Sequence, residues 1–423
     1  MRILILSTFD TLGGAAIAGM RLHKALLKSG QQSIMLVQKK KSNEKNVTEI
    51  SSNWIQRKIS FFRFAIDRFQ FFFYEKNSAV RFLFSQATIG IDISRNQYVN
   101  EADIIHIHWI NFGFLSISSL EKIILTRKPI IITMHDMWFF TGGCHYSKEC
   151  NNYERQCGNC TFYLNNSSDN DLSHKCWKRK QQMLQNSNIT FVACSQWLAS
   201  VAQKSSLLKS KQIFSIPNPI DIKIFESTRK DLAQKYFNLS SDKIYILFAA
   251  MKVTDERKGF IFFRKALEQL ALTHPEIQNE LELIILGQVE MKDFESIPFK
   301  VNCLGRLSEI TTIAKAYAAA HIFVIPSIED NLPNTVMESL ACGTPVVGFN
   351  TGGIPEMIEH KRIGYIAEYK SSDDLARGIY WTLFESDYQS LCIHSREKAV
   401  KCYSEEIISE KYNQVYRSAI FSH

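Results

Sequence analysis

The chain has 423 residues, of which 45% are hydrophobic and 22% charged, and it carries a net charge of +8. That length builds two or three domains, each with its own core, and the composition is that of a globular protein rather than a disordered one. The modest positive balance fits anionic small ligands or an anionic membrane surface better than nucleic acid, for which no binding motif occurs. No run of about 18 uncharged apolar residues is present. Met1 to Ser7 turns polar too soon for a signal peptide, so a cytoplasmic protein is expected. Ten cysteines in such a chain argue for thiols or a metal rather than disulfides.

A buried strand, Arg2 to Ser7, opens the chain. A turn containing Gly13-Gly14 follows, then an amphipathic helix from about Ile17 to Lys28 and a strand, Gln32 to Val37. This is a βαβ start. Glycines at such a turn first meet a steric need, and Gly-Gly-Ala-Ala lacks the G-x-G-x-x-G spacing of a dinucleotide site. From Trp54 to Tyr74, the residues Ile55, Ile59, Phe62, Ile66, Phe69 and Phe73 recur at steps of four and three. They make an amphipathic helix whose apolar side is widened by Phe61, Phe64, Phe71 and Phe72. Arg57, Lys58, Arg63, Arg68, Lys76 and Arg81 flank it. The first reading is a helix packed on its own domain; the alternative is a peripheral membrane contact.

The strands Asp103 to His108 and Pro129 to His135 each end in a histidine. Two imidazoles, His108 and His135, should therefore stand at one sheet edge, where they can bond sugar hydroxyls or phosphate. Next, Cys144, Cys150, Cys157 and Cys160 fall within seventeen residues and include a C-x-x-C pair. The spacing suits a structural zinc, with an iron–sulfur cluster as second choice and His145, His174 or Cys176 as substitute ligands. Reduced thiols in a loop are the alternative. Strands Ile189 to Cys194 and Gln212 to Ile216 close the first half, and Pro217-Asn-Pro219 reads as a linker.

The second half starts with a strand, Lys243 to Ala249, and the run Thr254-Asp-Glu-Arg257-Lys258-Gly259, which opens a helix. Adjacent Arg and Lys at that place can neutralise a diphosphate; a solvated basic turn is the alternative. Strands Leu281 to Gly287 and Val301 to Gly305, a helix from Ile310 to Ala320 and a strand from His321 to Ile325 lead to PSIEDNLPNTVMESLACGTPVVGFNTGGIPEMI, residues 326–358. This stretch reads as a polar loop, a helix capped by Asn334 or Thr335 and running to Cys342, and a strand from Pro345 to Phe349. Asp330 and Glu338, with seven residues between them, stand on that loop and helix. Open α/β sheets bind ligands outside the carboxyl ends of their strands, and helix N-termini bind anions there. Carboxylates suit vicinal hydroxyls. Beyond Gly353 the pattern weakens until a last helix, about Glu405 to Ser418.

The segment EDNLPNTVMESLACGTPVV resembles the signature of the retaining glycosyltransferases of family 4: Glu, seven residues, Glu, a small-residue helix and G-T-P-V-V. Glu338 matches the second Glu. Asp330 stands where the first belongs, with Glu329 beside it as the alternative acid. The Gly-Gly-Cys-His-Tyr and Cys-Gly-Asn-Cys pieces resemble a subgroup of bacterial polysaccharide (O-antigen or capsule) glycosyltransferases. Ile216-Pro-Asn-Pro-Ile-Asp221 is similar to the family's hinge, with Pro219 in place of the usual Gly.

The resemblance implies an α/β, GT-B fold: two Rossmann-like, doubly wound domains facing a central cleft. Residues 1–216 would form the acceptor domain, 217–400 the nucleotide-sugar donor domain, and 401–423 a helix returning to the first. It implies Arg257 and Lys258 on the donor phosphates, Asp330 and His108 on the sugar, and Glu338 on the ribose. Gly13, Gly14, His135, Leu332, Asn334 and Thr335 would line the substrates, with Leu307 framing the base. No cofactor is required for catalysis. The implied reaction moves a sugar, with retention, from a nucleotide-diphosphate sugar to a hydroxyl of a glycan or lipid-linked oligosaccharide. It would serve lipopolysaccharide or capsule synthesis at the inner face of the plasma membrane. A sugar-nucleotide epimerase or phosphorylase of related fold, or an inactive sugar-nucleotide-binding protein, is the alternative.

Overall fold

The computed structural model describes residues 1–185, 187–253, 255–288, 294–295 and 297–421. Thr254, at the head of the basic turn, and Ser422 and His423, at the end of the expected C-terminal helix, lie outside the described residues. The chain divides into two compact units, Met1–Pro219 with Ile408–His423, and Ile220–Ile407.

The first unit is built on seven parallel strands: β1 (Arg2–Phe9), β2 (Gln32–Lys39), β3 (Val47–Glu49), β4 (Ile104–Ile107), β5 (Ile130–Met134), β6 (Ile189–Ala193) and β7 (Ile213–Ser215). Their order is β3-β2-β1-β4-β5-β6-β7. Helices cover both faces, which is why β1, β4 and β5 read as unbroken apolar runs. Alternate residues serve different cores. Leu4, Leu6, Ile105 and Ile107 pack with Trp138 and Phe140. Ile3, Ile5, Ile104 and Ile131 face the other way, against Met20 and Leu22 of the helix Gly14–Lys28 and Tyr412 and Tyr416 of the final helix, Glu405–Phe421. That helix is also fastened by polar bonds. Tyr416 Oη lies 2.7 Å from His106 Nδ1, His106 Nε2 lies 2.7 Å from Thr133 Oγ1, and Tyr412 Oη lies 2.9 Å from the same Thr133 oxygen.

The second unit is a six-stranded parallel sheet of β8 (Ile244–Lys252), β9 (Leu281–Gln288), β10 (Lys300–Gly305), β11 (Ile322–Ile325), β12 (Val346–Phe349) and β13 (Gly364–Ala367), in the order β10-β9-β8-β11-β12-β13. The helix Asn334–Ala341 connects β11 to β12, with Val336, Met337, Leu340 and Ala341 all fully buried.

Four features differ from the sequence reading. The units part after Pro219 and again before Ile408, not after Ile216 and Val400. Asn218 bonds Cys194 of the first unit, while the Ile220 amide bonds the Tyr403 carbonyl at 2.8 Å within the second. The cap of the Asn334–Ala341 helix is Pro333, and no side chain caps it, so neither Asn334 nor Thr335 has that role. Proline pre-sets the backbone there and has no N–H to satisfy. Edge strand β3 is short and polar, and β13 begins at Gly364, where a Cβ would meet the Val346 carbonyl at 1.9 Å; neither carries a strong apolar signal.

The fourth concerns the helix Trp54–Phe72, which was expected to turn its apolar side onto its own domain. It does the reverse. Its buried residues are Ser60, Asp67, Arg68 and Phe71, whereas Trp54, Phe61, Phe62, Phe69 and Phe72 stand exposed. The anchor is Arg68, which donates to the carbonyls of Arg81 at 2.7 Å and Phe84 at 2.9 Å and pairs with Asp67 at 2.6 Å. Phe71 stacks flat on Phe84, with centroids 4.9 Å apart.

Candidate active site

In the first unit the carboxyl ends of β4 and β5 carry the two expected histidines, and the structure brings them together. His108 Nδ1 lies 2.9 Å from His135 Nε2. His135 Nδ1 lies 3.4 Å from Cys194 Sγ at the end of β6, and Cys194 donates to Asn218 Oδ1 at 3.2 Å. One assignment of protons satisfies this chain. The Cys194 proton is directed to Asn218, so Sγ accepts from His135 Nδ1–H. His135 Nε2 is then an acceptor for His108 Nδ1–H. His108 Nε2 is left as a bare lone pair, and it is buried with no partner among the described residues. A buried acceptor in that state is costly until a donor reaches it. A sugar hydroxyl is such a donor.

All three histidines of this edge are neutral. Burial pushes His108 well below the ordinary imidazole range, and neighbouring His106 and His135 push it further. Burial lowers His135 to about 4 and His106 to about 3. His106 escaped the sequence reading, although its position two residues before His108 places both on one face of β4; their rings sit 4.4 Å apart.

The glycine turn meets this edge from the helix side. Gly13 has φ +89°, a conformation that favours glycine, and open space around its missing Cβ; Gly14 starts the helix. Further along, a Cβ on Gly19 would touch His108 Nδ1 at 3.4 Å, so this helix packs directly on the histidine.

Asp136, one residue past His135, holds the following loop. It accepts from Trp109 Nε1 at 3.0 Å and the Trp138 amide at 2.9 Å, and pairs with His145 Nδ1 at 2.6 Å. Burial would raise its carboxyl, but His145 and these donors outweigh that and hold it below the usual carboxylate range.

The zinc reading finds no support among the described residues. Among the described residues no three His, Cys, Asp or Glu side chains form a metal-holding group. Burial pushes the thiols of Cys144, Cys157 and Cys160 up, the latter two to about 12 and about 11, and the neighbouring cysteines push the same way. Cys150 is half-buried. The substitutes are engaged elsewhere: His145 with Asp136 and, at 2.9 Å, Ser85 Oγ; His174 with the Cys157 carbonyl; Cys176 with the Gln86 carbonyl. A cation is already present. The fully buried Lys180 ammonium donates to the carbonyls of Trp138 and Thr141, and its field reaches Cys144, Cys157 and Cys176.

In the second unit, Arg257 and Lys258 lie on a 3-10 turn, Glu256–Lys258, ahead of the helix Phe260–Thr273. Lys258 Nζ pairs with Asp330 Oδ2 at 2.6 Å, and Arg257 Nη2 pairs with Asp255 at 2.9 Å. The acid that meets Lys258 is thus Asp330. Glycines permit the close approach. Gly259 has φ +67°, and a Cβ there would sit 1.8 Å from the Pro326 carbonyl oxygen. Gly352, at φ +55°, presses equally closely on the Asp330 carbonyl. The Ile328 amide also bonds the Arg257 carbonyl at 2.8 Å, so the basic turn and the acidic loop form one piece.

Glu338 is buried inside the helix that follows, Leu332 is buried before it, and Asn334 and Thr335 are half-buried at its N-terminus. Ser327, missed in the sequence, is fully buried at the end of β11, and its Oγ has no partner among the described residues. Leu307 follows β10, three strands from β11 in the sheet, roughly 14 Å away at ordinary strand spacing. That sets it apart from the Asp330 cluster.

The sequence profile "Glycosyltransferase Family 4" matches residues 12–224, half of the chain, and "Glycosyl transferases group 1" matches residues 243–384. The chain belongs to glycosyltransferase family 4. An uncharacterized glycosyltransferase of Methanocaldococcus jannaschii is 24% identical over 367 residues, covering 79% of this chain and 89% of the relative. A Campylobacter jejuni enzyme, N,N'-diacetylbacillosaminyl-diphospho-undecaprenol alpha-1,3-N-acetylgalactosaminyltransferase, is 24% identical over 46% of this chain and 50% of its own. Among solved structures, sucrose-phosphate synthase from Thermosynechococcus elongatus aligns over the whole of both chains, with a TM-score of 0.65 at 17% identity. The Anabaena protein HepE, solved with UDP-glucose, aligns over 99% of this chain and all of its own, with a TM-score of 0.65 at 13% identity. The family 4 chain therefore has the α/β GT-B fold and is a transferase enzyme, a glycosyltransferase.

Proposed function

We propose that this glycosyltransferase transfers a sugar, with retention, from a nucleotide-diphosphate sugar to a hydroxyl of a lipid-linked glycan in bacterial surface polysaccharide synthesis. The observation that carries the donor reading is the Lys258–Asp330 pair, 2.6 Å apart, on a turn and loop locked together by Gly259. It puts a point charge for phosphate beside an acceptor for sugar hydroxyls, next to a helix N-terminus that no side chain caps. On donor binding Lys258 and Arg257 would turn to the diphosphate, Asp330 to the sugar and Glu338 to the ribose. His108 Nε2 would accept from a sugar hydroxyl.

In the reaction the bond between the anomeric carbon and the β-phosphate oxygen breaks, and a bond from that carbon to the acceptor oxygen forms on the same face. The acceptor's proton passes to the leaving phosphate oxygen. Arg257 and Lys258 stabilise the charge that develops there. The name of the Campylobacter relative supports a lipid-diphosphate acceptor, and the HepE complex supports a uridine donor.

The test is a thermal-shift panel of nucleotides and sugar nucleotides, followed by transfer to an undecaprenyl-diphosphate-linked sugar. A nucleoside diphosphate that binds the fold at 100 times its Kd stabilises it by about 2.7 kcal/mol. That shift should vanish in Lys258→Met and weaken in Glu338→Gln. A panel with no stabilising nucleotide would overturn the assignment.

A further inference from the structure

We propose that the helix Trp54–Phe72 lies flat in the surface of an anionic lipid bilayer and docks the first unit there. A helix on a protein in water buries its apolar stripe and shows its polar one. Here Trp54, Phe61, Phe62, Phe69 and Phe72 are 53–70% exposed, and Phe73 continues the face at 59%. The aromatic rings contact one another rather than the core: Phe61 meets Phe62 at 6.3 Å, and Phe69 meets Phe73 at 5.0 Å. The polar groups that the helix turns inward, Asp67 and Arg68, hold its orientation firmly, so the aromatic face cannot simply roll under.

Charge selects the occupant. Between Asn53 and Phe82 the acidic residues are Asp67 and Glu75. Both are buried and paired, Asp67 with Arg68 and Glu75 with Arg81. The bordering Glu49 is mostly covered by its pairing with Arg57. Arg57, Lys58 and Lys76 are exposed, so the rim presents cations around an aromatic field. Another protein surface is matched by mixed charge and shape; an anionic lipid layer is matched by aromatic rings with a cationic border. The helix has 19 residues, roughly 28 Å. Among the described residues no helix is long and apolar enough to cross a membrane, so this one lies in the interface rather than spanning it.

The position has a consequence for the site. A Cβ on Gly113, in the loop after β4, would meet the Phe64 amide at 2.7 Å, and Arg63 Nε donates to the Gly113 carbonyl at 3.3 Å. The helix therefore rests on the loop that follows His108. Docking would bring headgroups to the edge of the first unit that carries the histidine chain. The inference does not depend on which sugar is moved, and its readout is vesicle binding, not transfer.

The experiment is co-sedimentation of the full chain with vesicles of phosphatidylcholine alone and of phosphatidylcholine with phosphatidylglycerol. Binding should be at least about tenfold tighter to the anionic vesicles and should weaken with salt. The triple variant Phe61→Ser, Phe62→Ser, Phe69→Ser should lose at least about tenfold, and Arg57→Glu with Lys58→Glu should remove the preference for phosphatidylglycerol. Brominated lipid should quench wild-type fluorescence, and Trp54→Phe should abolish that quenching; this readout needs no multiple variant to fold. Wild type that stays in the supernatant with both vesicles overturns the proposal. So does light scattering that shows a dimer which the triple variant splits, with no vesicle binding, since a second copy would then cover the face.

Discussion

Gly259→Ala tests whether the basic turn and the acidic loop work as one piece. Two terms add. Alanine in the left-handed region costs about 1–2 kcal/mol. Its Cβ would also lie 1.8 Å from the Pro326 oxygen, and real Cβ contacts stay beyond 3.0 Å, so the turn must retreat by at least 3.0 − 1.8 = 1.2 Å. That retreat breaks the hydrogen bond from the Ile328 amide to the Arg257 carbonyl, worth about 1 kcal/mol. The total is roughly 2–3 kcal/mol. Gly305→Ala is the control: its φ of +65° nearly equals the +67° of Gly259, but nothing lies within 4 Å of its missing Cβ, so it carries the conformational term alone.

Both glycines belong to the second unit, so urea unfolding reports on the same cooperative structure for each. Gly259→Ala should unfold at clearly lower urea than Gly305→Ala. Lys258 adjoins the displaced residue, and a displacement of about 1 Å in a positioning group costs on the order of 100-fold in rate. Calorimetry with UDP and initial rates with a sugar nucleotide should both show the loss. If the two variants unfold alike within about 0.5 kcal/mol, or if Gly259→Ala binds UDP as wild type does, the locked-turn argument is wrong.

Lys258→Met should reduce kcat/KM for the donor by at least about 100-fold, and Asp330→Asn should do so mainly through the sugar, leaving UDP binding within a few fold; equal losses of UDP affinity would contradict the division of roles. Tyr416→Phe leaves His106 Nδ1 buried without its 2.7 Å partner and should destabilise the first unit by about 1–3 kcal/mol, read by urea unfolding. Acid should destabilise the same unit. His135 falls from 6.5 to about 4 on folding, so between those values the unfolded chain binds the extra proton. Stability is then full above pH 6.5 and declines as pH falls toward 4, by roughly 3 kcal/mol for this group. His135→Asn should flatten that part of the pH profile, and an unchanged profile would show that His135 is not buried neutral.

The fold was largely legible because parallel strands buried on both faces leave unbroken apolar runs. Ile-Leu-Ile-Leu in β1 and Ile-Phe-Val-Ile in β11 admit few other readings. Elements resting on a single backbone contact were not. β13 depends on Gly364 fitting against Val346, and no periodicity reports that. The sequence set Lys258 and Asp330, 72 residues apart, on different parts of one ligand, and their direct pairing was not foreseen. The meeting of His108 and His135 was legible, but the chain onward to Asn218 was not, because it runs through three hydrogen bonds, two of them to the Cys194 sulfur. The cysteine spacing misled for a physical reason: ligand spacing says nothing of a buried ammonium such as Lys180 at the same place. The aromatic helix misled differently. Periodicity finds an apolar face but not its direction, and here the inward face is chosen by Arg68 reaching the carbonyls of Arg81 and Phe84.

The two units carry opposite electrostatics at their candidate sites, and the proposed reaction would use both. At the edge of the first unit burial keeps His106, His108 and His135 uncharged, so His108 can offer a lone pair and no cation. The second unit does the reverse: Arg257 and Lys258 stay partly exposed, each facing a carboxylate that a phosphate can replace. A nucleotide sugar is itself divided this way, neutral hydroxyls at one end and anionic phosphates in the middle. In the folded chain these histidines charge only at or below about pH 4, where the stability given by their neutrality is already lost, so acid should remove the first unit's sugar contact by unfolding that unit. Transfer rate should fall in a pH range where UDP binding to the second unit is still intact; if both fall together, the neutral edge is not what orients the sugar.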